Sequence, residues 1–267
     1  PIVAWLLAPG ASFVEAAGAG VELGISTMDQ LNRAAAAATA DRPVGVHLKF
    51  ETGLGRNGIP PEDWRMVAAE AARLERIGKV RVVGLFSHLS NASPADDRAA
   101  LALFHEAIGV AASVGVAPRL RHIAATHAAI DLPEARLGCV RLGIGIYGLS
   151  PFADRSSADL GLRPAMTVRA AVAAVRRVPA GHGVSYGYDH RTARETTLAL
   201  VPVGYADGVP RQASGLGPVR IGSGRFTVAG RVAMDQFVVD VGDLPVAVGD
   251  EVVLFGDPTL GAPAADE

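Results

Sequence analysis

The sequence has few of the residues that carry redox or membrane functions. Its 267 residues include one cysteine, Cys139, which excludes an intrachain disulfide and a multi-cysteine metal cluster. No apolar run reaches the roughly 18 residues that a membrane-spanning helix needs. No basic residue precedes the apolar stretch Ile2–Ala8, as it would in a signal peptide. We therefore expect a cytoplasmic protein that does not bind membranes.

Neither sign of charge dominates the sequence. The 25 lysines and arginines oppose 27 aspartates and glutamates, for a formal net charge of −2, so no basic surface for nucleic acid is expected. Lysine itself is scarce, because Lys49 and Lys79 are the only two and the other basic residues are arginines. Any chemistry that requires a lysine therefore has two candidates.

The first 150 residues alternate between short apolar runs and helical patterns. Strands are predicted at Val3–Ala8, Val21–Ser26, Val44–Phe50, Val82–Leu89, Arg121–Ala125 and Cys139–Tyr147. Strands that recur about every 30 residues with helices between them predict βαβ units and a parallel sheet. Six strands are fewer than the eight of a closed (β/α)₈ barrel. A six-stranded doubly wound sheet is an alternative that periodicity does not separate from part of a barrel.

After Pro151 the helical patterns stop. Strand-like runs separated by glycine-containing turn signals follow at Val168–Val178, Thr196–Val203, Pro218–Ile221, Arg225–Val232, Gln236–Val241 and Glu251–Phe255. This pattern predicts a second, all-β domain of ordinary size. We therefore expect two domains, residues 1–155 and 156–267.

The segment from Val44 to Glu51 places a lysine inside a predicted strand. Alternate residues of a strand share a face, so Lys49 lies on the face opposite Val46 and Leu48. An interior ammonium group needs a partner or a chemical modification. An edge strand with a solvated polar face is the alternative interpretation.

The next segment, Gly53-Leu-Gly-Arg-Asn-Gly58, matches the G-x-G-x-x-G pattern of dinucleotide-binding loops. We do not interpret it as a nucleotide site, because the preceding strand carries His47 and Lys49 instead of an all-apolar buried face. Arg56 is instead expected to project from the carboxyl end of a strand, where barrels place their active sites.

Polar residues also follow the later predicted strands. His88 ends one strand, and Arg141 inside the last is costly unless it meets an anion or an acceptor. If the six strands are the third to eighth of a barrel, Thr126 and Gly143–Ile144 follow the last two, where many barrels bind phosphate. This predicts a phosphate-bearing ligand. The histidines within residues 122–131 do not share a face, so no metal site is expected.

Six segments together resemble the alanine racemase family. They are His47-Leu-Lys-Phe-Glu-Thr-Gly-Leu-Gly-Arg-Asn-Gly, Ser87-His-Leu, Arg141-Leu-Gly-Ile-Gly-Ile-Tyr-Gly-Leu-Ser-Pro, Gly183-Val-Ser-Tyr-Gly, Val203-Gly-Tyr-Ala-Asp-Gly and Gly230-Arg-Val-Ala-Met-Asp-Gln. They span nearly the whole chain and are specific jointly, although no single one is. The resemblance implies a (β/α)₈ TIM-type barrel, with strands three to eight present, followed by a C-terminal β domain.

The resemblance also implies a pyridoxal 5′-phosphate enzyme, an isomerase that interconverts L-alanine and D-alanine and supplies D-alanine for peptidoglycan. The reaction would proceed through an external aldimine by two-base proton transfer. Tyr186 would be the catalytic base on the L-alanine face, and Arg56 with the Met234 backbone would hold the substrate carboxylate. Lys49 would be a carbamylated lysine that orients Arg56.

The resemblance assigns the cofactor to a second group of residues. Arg141 would hydrogen-bond the pyridine nitrogen, with His88 packed at the ring. The residues around the phosphate or the substrate would be Thr126, Gly143, Ile144 and Tyr205. In the family the β domain of one subunit completes the active site of the other, so a homodimer is expected.

The sequence also departs from the family pattern. The family's Val-Lys-Ala-Asn-Ala-Tyr-Gly motif, which carries the Schiff-base lysine, is absent, and so is the family's C-terminal strand. Ala125-Thr126 stands where the family usually has Asn-Ser. We expect the missing motif upstream of Pro1 and expect the 267 residues alone to be inactive. Two alternatives stay open: a racemase for another small amino acid such as serine, and a degenerate, non-catalytic barrel.

Overall fold

The computed structural model describes all 267 residues, and their contacts divide them into two units, Pro1–Gly143 and Ile144–Glu267. This division falls somewhat earlier in the chain than the predicted boundary at residues 155 and 156. None of the helices combines the length and apolar composition of a membrane span.

The first unit is a row of βα repeats. Its strands are β1 (Ile2–Ala4), β2 (Val21–Ile25), β3 (Val44–Lys49), β4 (Val80–Phe86) and β5 (Leu120–His122). Its helices are α1 (Phe13–Gly18), α2 (Met28–Ala36), α3 (Trp64–Arg76), α4 (Pro94–Ser113) and α5 (Thr126–Asp131). The strands pair in chain order, and every pair is parallel. This arrangement is part of a barrel wall, in which helices connect successive strands.

Side-chain caps set where the helices begin. The hydroxyl of Thr27 accepts a hydrogen bond from the Gln30 N–H at 3.2 Å, and that of Ser93 accepts one from the Asp96 N–H at 3.1 Å. These hydroxyls satisfy N–H groups that have no partner within the helix. Pro94 is the first residue of α4, where the missing N–H of proline is harmless.

The core of the first unit lies between the sheet and the helices. Leu23, Val46 and Leu48 are fully buried on the strands, as is Leu31 on α2. Each such side chain stabilises the fold by about 1.5–3 kcal/mol through burial. Lys49 is only 2% exposed, because β3 lies between β2 and β4 in the sheet. The edge-strand interpretation of this segment is therefore wrong.

The predicted strand Cys139–Tyr147 is also wrong, and the parallel sheet has five strands instead of six. Residues 138–141 run beside β5 through two backbone bonds only, from Gly138 N–H to Arg121 O and from Arg141 N–H to Ala124 O. A short 3₁₀ turn then spans Ile144–Tyr147. Glycine is unfavourable in strands, and Gly143, Gly145 and Gly148 interrupt this segment.

The second unit is built from antiparallel strands. They are β6 (Val168–Ala171), β7 (Ala174–Val178), β8 (Gly183–Val184), β9 (His190–Arg191), β10 (Thr196–Val201), β11 (Pro218–Ile221), β12 (Gly224–Thr227), β13 (Phe237–Gly242) and β14 (Glu251–Phe255). They form sheets in the orders β13-β10-β7, β12-β11-β14-β6 and β8-β9. The predicted strand Val168–Val178 is two strands in different sheets. The Val172 N–H bonds to Asp250 O whereas the Ala173 N–H bonds to Leu200 O, so the chain changes sheets there.

Candidate active site

The carboxyl ends of three parallel strands place charged and aromatic side chains next to each other. The sheet register aligns Lys49 of β3 with Phe86 of β4, and Phe86 with His122 of β5. Adjacent residues across a sheet lie on the same face, so these side chains are neighbours. The Phe86 ring stacks on the His122 imidazole with centroids 5.0 Å apart.

Arg141 lies at this edge and donates to four acceptors. Its Nη1 donates to His122 Nδ1 at 2.6 Å. Its Nη2 lies 2.8 Å from Ser87 O, 3.1 Å from Ile123 O and 3.0 Å from His88 Nδ1. These acceptors offset the desolvation of the guanidinium, as expected for an arginine in an apolar segment. Burial lowers the pKa of Arg141 to about 10, so the group remains charged at neutral pH.

The two histidines bonded to Arg141 are neutral. Burial, and then the charge of Arg141, lower the pKa of His88 to about 4 and that of His122 to about 3. Arginine can only donate, so each Nδ1 that it contacts must be an acceptor. Both rings therefore carry their single proton on Nε2.

Lys49 lies close to two arginines. Its Nζ donates to Asn57 Oδ1. Burial and the charge of Arg56 lower the pKa of Lys49 to about 8, with a further contribution from Arg141, while Glu51 opposes the shift. Arg56 itself is exposed, and its charge also lowers the pKa of Arg141. The predicted residues Lys49, Arg56 and Arg141 therefore occur in one electrostatic environment.

The G-x-G-x-x-G segment wraps around a carboxylate. Glu51 Oε1 accepts hydrogen bonds from the N–H groups of Gly53 at 2.7 Å and Gly55 at 3.2 Å. Gly58 has φ +139°, and a Cβ there would lie 2.8 Å from the Glu51 nitrogen. Because the glycine N–H groups bind a side chain of the same loop, they do not form a phosphate-binding turn.

Two residues predicted at the phosphate are joined by a hydrogen bond. Thr126 is buried at the start of α5, and its hydroxyl accepts from the Gly143 N–H at 3.1 Å. Ala125 precedes the helix without capping it. Ile144, in the second unit, is exposed at the start of a 3₁₀ turn.

Tyr186 is exposed on a strained turn of the second unit. Ser185 before it has φ +60° and ψ −168°, a combination that is almost confined to glycine. The Ser185 hydroxyl donates to the Arg231 carbonyl at 2.7 Å, and Arg231 forms an ion pair with Asp189 at 2.5 Å. These contacts hold the turn on both sides of Tyr186, which is 71% exposed.

Tyr205 and Met234 lie on two loops that contact each other. The N–H of Tyr205 donates to Ala233 O at 3.0 Å, and that of Ala206 donates to Met234 O at 2.8 Å. A Cβ on Gly204 would lie 2.4 Å from the same two carbonyl oxygens, so only glycine permits this approach. The structure thus brings together two of the predicted substrate residues.

The sequence did not single out several of the residues found here. Asn57 accepts from Lys49, but it is an ordinary polar residue near a strand end. Arg141 donates to the main-chain carbonyl of Ser87, so the side chain at that position gives no signal for this contact. The sequence places His122 only in a group of residues for which no metal site is expected, and its contact with Arg141 appears only in the structure. Its position on the same face as His47 and Lys49 becomes evident only from the strand register.

Comparison with known proteins identifies the family. The chain matches the alanine racemase N-terminal domain over residues 1–151 and the alanine racemase C-terminal domain over residues 165–267. It is 49% identical to the alanine racemase of Salinispora arenicola over 272 residues, covering 100% of this chain and 72% of that protein.

Solved structures agree with this match. The alanine racemase of D-cycloserine-producing Streptomyces lavendulae has a TM-score of 0.95 and 45% identity, covering 99% of this chain and 70% of that one. The enzyme of Streptomyces coelicolor gives a TM-score of 0.94 at the same identity. Fold and site thus define a barrel protein with a C-terminal β domain. The chain belongs to the alanine racemase family.

Proposed function

We propose that this protein is a pyridoxal 5′-phosphate-dependent racemase that interconverts L-alanine and D-alanine. The observation that carries the proposal is the half-buried Arg141 between two neutral histidines, at the carboxyl edge of a parallel sheet. Lys49 and Arg56 lie in the same electrostatic environment. Relatives named alanine racemase, one of them 49% identical to this chain, support alanine as the substrate.

The residues at this edge fit the proposed cofactor. The hydrogen bonds of Arg141 to the protein use Nη1 and Nη2, so its Nε–H is available to a pyridine nitrogen. His88 is half-buried beside it and would pack at the ring. Thr126, Gly143 and Ile144 would surround the phosphate. When bound, the cofactor withdraws electrons from the substrate's α-carbon, and a nitrogen that faces arginine stays unprotonated, which limits side reactions.

Neither lysine of residues 1–267 is placed to anchor the cofactor. Lys49 is buried and donates to Asn57. Lys79 is exposed immediately before β4, at the amino end of the strands. We therefore propose that the anchoring amine comes from a segment outside these residues.

Lys49 has the properties of a lysine that reacts with carbon dioxide. A pKa of about 8 leaves about one amine in ten neutral at pH 7. The neutral Nζ would attack the carbon of CO₂, so that an N–C bond forms, one C–O π bond of CO₂ breaks with its electron pair moving to oxygen, and one N–H proton passes to water. The product is an anion, so the reaction replaces a positive charge near Arg56 and Arg141 by a negative one. This supports a carbamate that orients Arg56.

The proposed proton transfer uses Tyr186, whose phenol is presented to solvent by its turn. Arg56 and the Met234 backbone would hold the substrate carboxylate, and Tyr205 would lie near the substrate. Tyr186, Tyr205 and Met234 are all exposed in the single chain. Their exposure supports a homodimer in which the β domain of one subunit completes the site of the other.

The test is racemisation by the polypeptide as its gene encodes it. The protein is supplied with pyridoxal 5′-phosphate and L-alanine, and D-alanine is followed with a D-amino-acid oxidase assay. D-Alanine formation is expected, with slower turnover of L-serine. Faster turnover of L-serine than of L-alanine would assign serine as the substrate instead. A protein that binds the cofactor but turns over neither amino acid would favour a non-catalytic barrel.

A further inference from the structure

A series of buried polar side chains runs from Arg141 along the inner face of the sheet to Glu22. His122 Nε2 lies 3.3 Å from His47 Nδ1, and His47 Nε2 lies 2.9 Å from Glu22 Oε2. Together with the 2.6 Å bond between Arg141 and His122, these contacts form the Glu22–Arg141 network. His47 is 0% exposed, His122 4% and Glu22 9%, so bulk solvent has little access to these bonds.

Glycines make room for this network. A Cβ on Gly84 would lie 2.4 Å from His47 Nδ1, and a Cβ on Gly45 would lie 2.9 Å from Glu22 Cγ. Gly45 lies in β3 and Gly84 in β4, whose pairing shifts register between Val46 and His47, and a side chain at either glycine would occupy the space of the network. The backbone of β3 and β4 is therefore specifically adapted to hold Glu22 and His47.

The direction of every hydrogen bond in the network follows from its two ends. Arg141 can only donate, so His122 Nδ1 accepts and its proton lies on Nε2. That Nε2–H donates to His47 Nδ1, so the proton of His47 also lies on Nε2. The second Nε2–H donates to Glu22, which as a carboxylate can only accept. One cation, two neutral rings and one anion are thus connected without a conflict between donors.

We propose that Glu22 and His47 are positioning residues for Arg141, because they fix the tautomer of His122 that accepts from the guanidinium. The opposite tautomer would direct an Nδ1–H of His122 at the Arg141 N–H group and displace it. The role of Arg141 at the cofactor rests on the proposed function, whereas the assignment of the His47 and His122 tautomers is independent of it.

The first test is nitrogen-15 NMR of the full chain labelled at histidine, without cofactor, at neutral pH. His47→Asn and His122→Asn assign the signals. In the wild-type protein both rings are expected to be neutral, with a protonated Nε2. A protonated Nδ1 on either ring would overturn the proposal, and this result requires no variant of Glu22.

Variants of Glu22 test whether the carboxylate of Glu22 controls the tautomer of His122. Glu22→Leu removes the acceptor, so His122 is expected to gain a population protonated at Nδ1. Glu22→Gln keeps an acceptor oxygen and should retain the wild-type tautomers. Arg81→Ala is the matched control, since it removes the other partner of Glu22, 3.4 Å away and mostly exposed, and should change neither ring. Wild-type tautomers in a folded Glu22→Leu variant would contradict the proposal.

Kinetics of the complete enzyme test the positioning role. Glu22→Leu is expected to lower kcat by about tenfold or more, as small displacements of catalytic groups do, with little change in the KM for alanine. Glu22→Gln should restore most of kcat. A kcat within twofold of wild type, despite altered tautomers, would reject the positioning role. If the wild-type enzyme does not racemise alanine, the proposed function fails, whereas the NMR result still decides the tautomers.

Discussion

Replacing Gly84 by alanine would test how tightly the inner face of the sheet is packed. The new methyl group would lie 2.4 Å from His47 Nδ1, 2.9 Å from His47 Cε1 and 3.2 Å from Leu120 O. Unstrained contacts of carbon atoms are about 3.5–4.0 Å, so the imidazole would have to move by about 1 Å. His47 is fully buried and is held at both ring nitrogens, so it has no space to move into.

The magnitude follows from two effects. Overpacking of a tight interior costs about 1–3 kcal/mol. Displacement of His47 also weakens its bonds to Glu22 and His122, each of which contributes about 0.5–1.5 kcal/mol. The lower entropy of alanine in the unfolded chain offsets about 0.4–1 kcal/mol of this loss. If both bonds are lost, the expected decrease in the free energy of unfolding is therefore about 1–5 kcal/mol.

Tryptophan fluorescence during urea unfolding measures this decrease in the first unit, which contains Gly84. Trp5 and Trp64 are the only tryptophans, and both lie in the first unit. Gly109→Ala is the control, because Gly109 lies in α4 with no atom within 4 Å of a new Cβ. It should stabilise the unit by about 0.5–1 kcal/mol. A change below about 0.5 kcal/mol for Gly84→Ala, the range of surface substitutions, would refute the packing argument.

Three further variants test the candidate site. Tyr186→Phe should retain the cofactor absorbance but lose about 100-fold or more of racemisation, since it removes the proposed base; unchanged turnover would exclude Tyr186 from the mechanism. Lys49→Met should raise the urea midpoint near pH 7 in CO₂-free buffer. The pKa of Lys49 is about 8 in the folded protein and 10.5 ordinarily, so the free energy of unfolding of the wild type rises with pH between these two pKa values. The stability difference between the variant and the wild type therefore shrinks over this pH range. A stability difference that does not change with pH would contradict this explanation. Ser185→Ala should lower stability by about 1 kcal/mol in thermal unfolding, because the bond to Arg231 is lost while the backbone strain remains. An unchanged melting temperature would show that this bond does not hold the turn.

Much of the architecture was predictable because its signals are local. The period of the strands and the change to an all-β pattern both appear within short windows of sequence. The strand predicted at Cys139–Tyr147 failed because strand formation depends on a partner. This segment makes only two backbone bonds beside β5, and its apolar residues alone do not reveal that.

The candidate site was less predictable from the sequence than the architecture was. The sequence by itself determined that Lys49 lies on the strand face opposite Val46 and Leu48 and that Arg141 needs an anion or an acceptor, because alternation and desolvation act on each residue separately. Only the structure decided that this face of the strand is buried. Only the tertiary structure decided that Arg141 meets His88 and His122, and that Glu22 is reached through His47. Those contacts join β2, β3 and β5 with the segments that follow β4 and β5. Their partners depend on the register between strands, which is set by packing over the whole sheet and not by any short stretch of sequence.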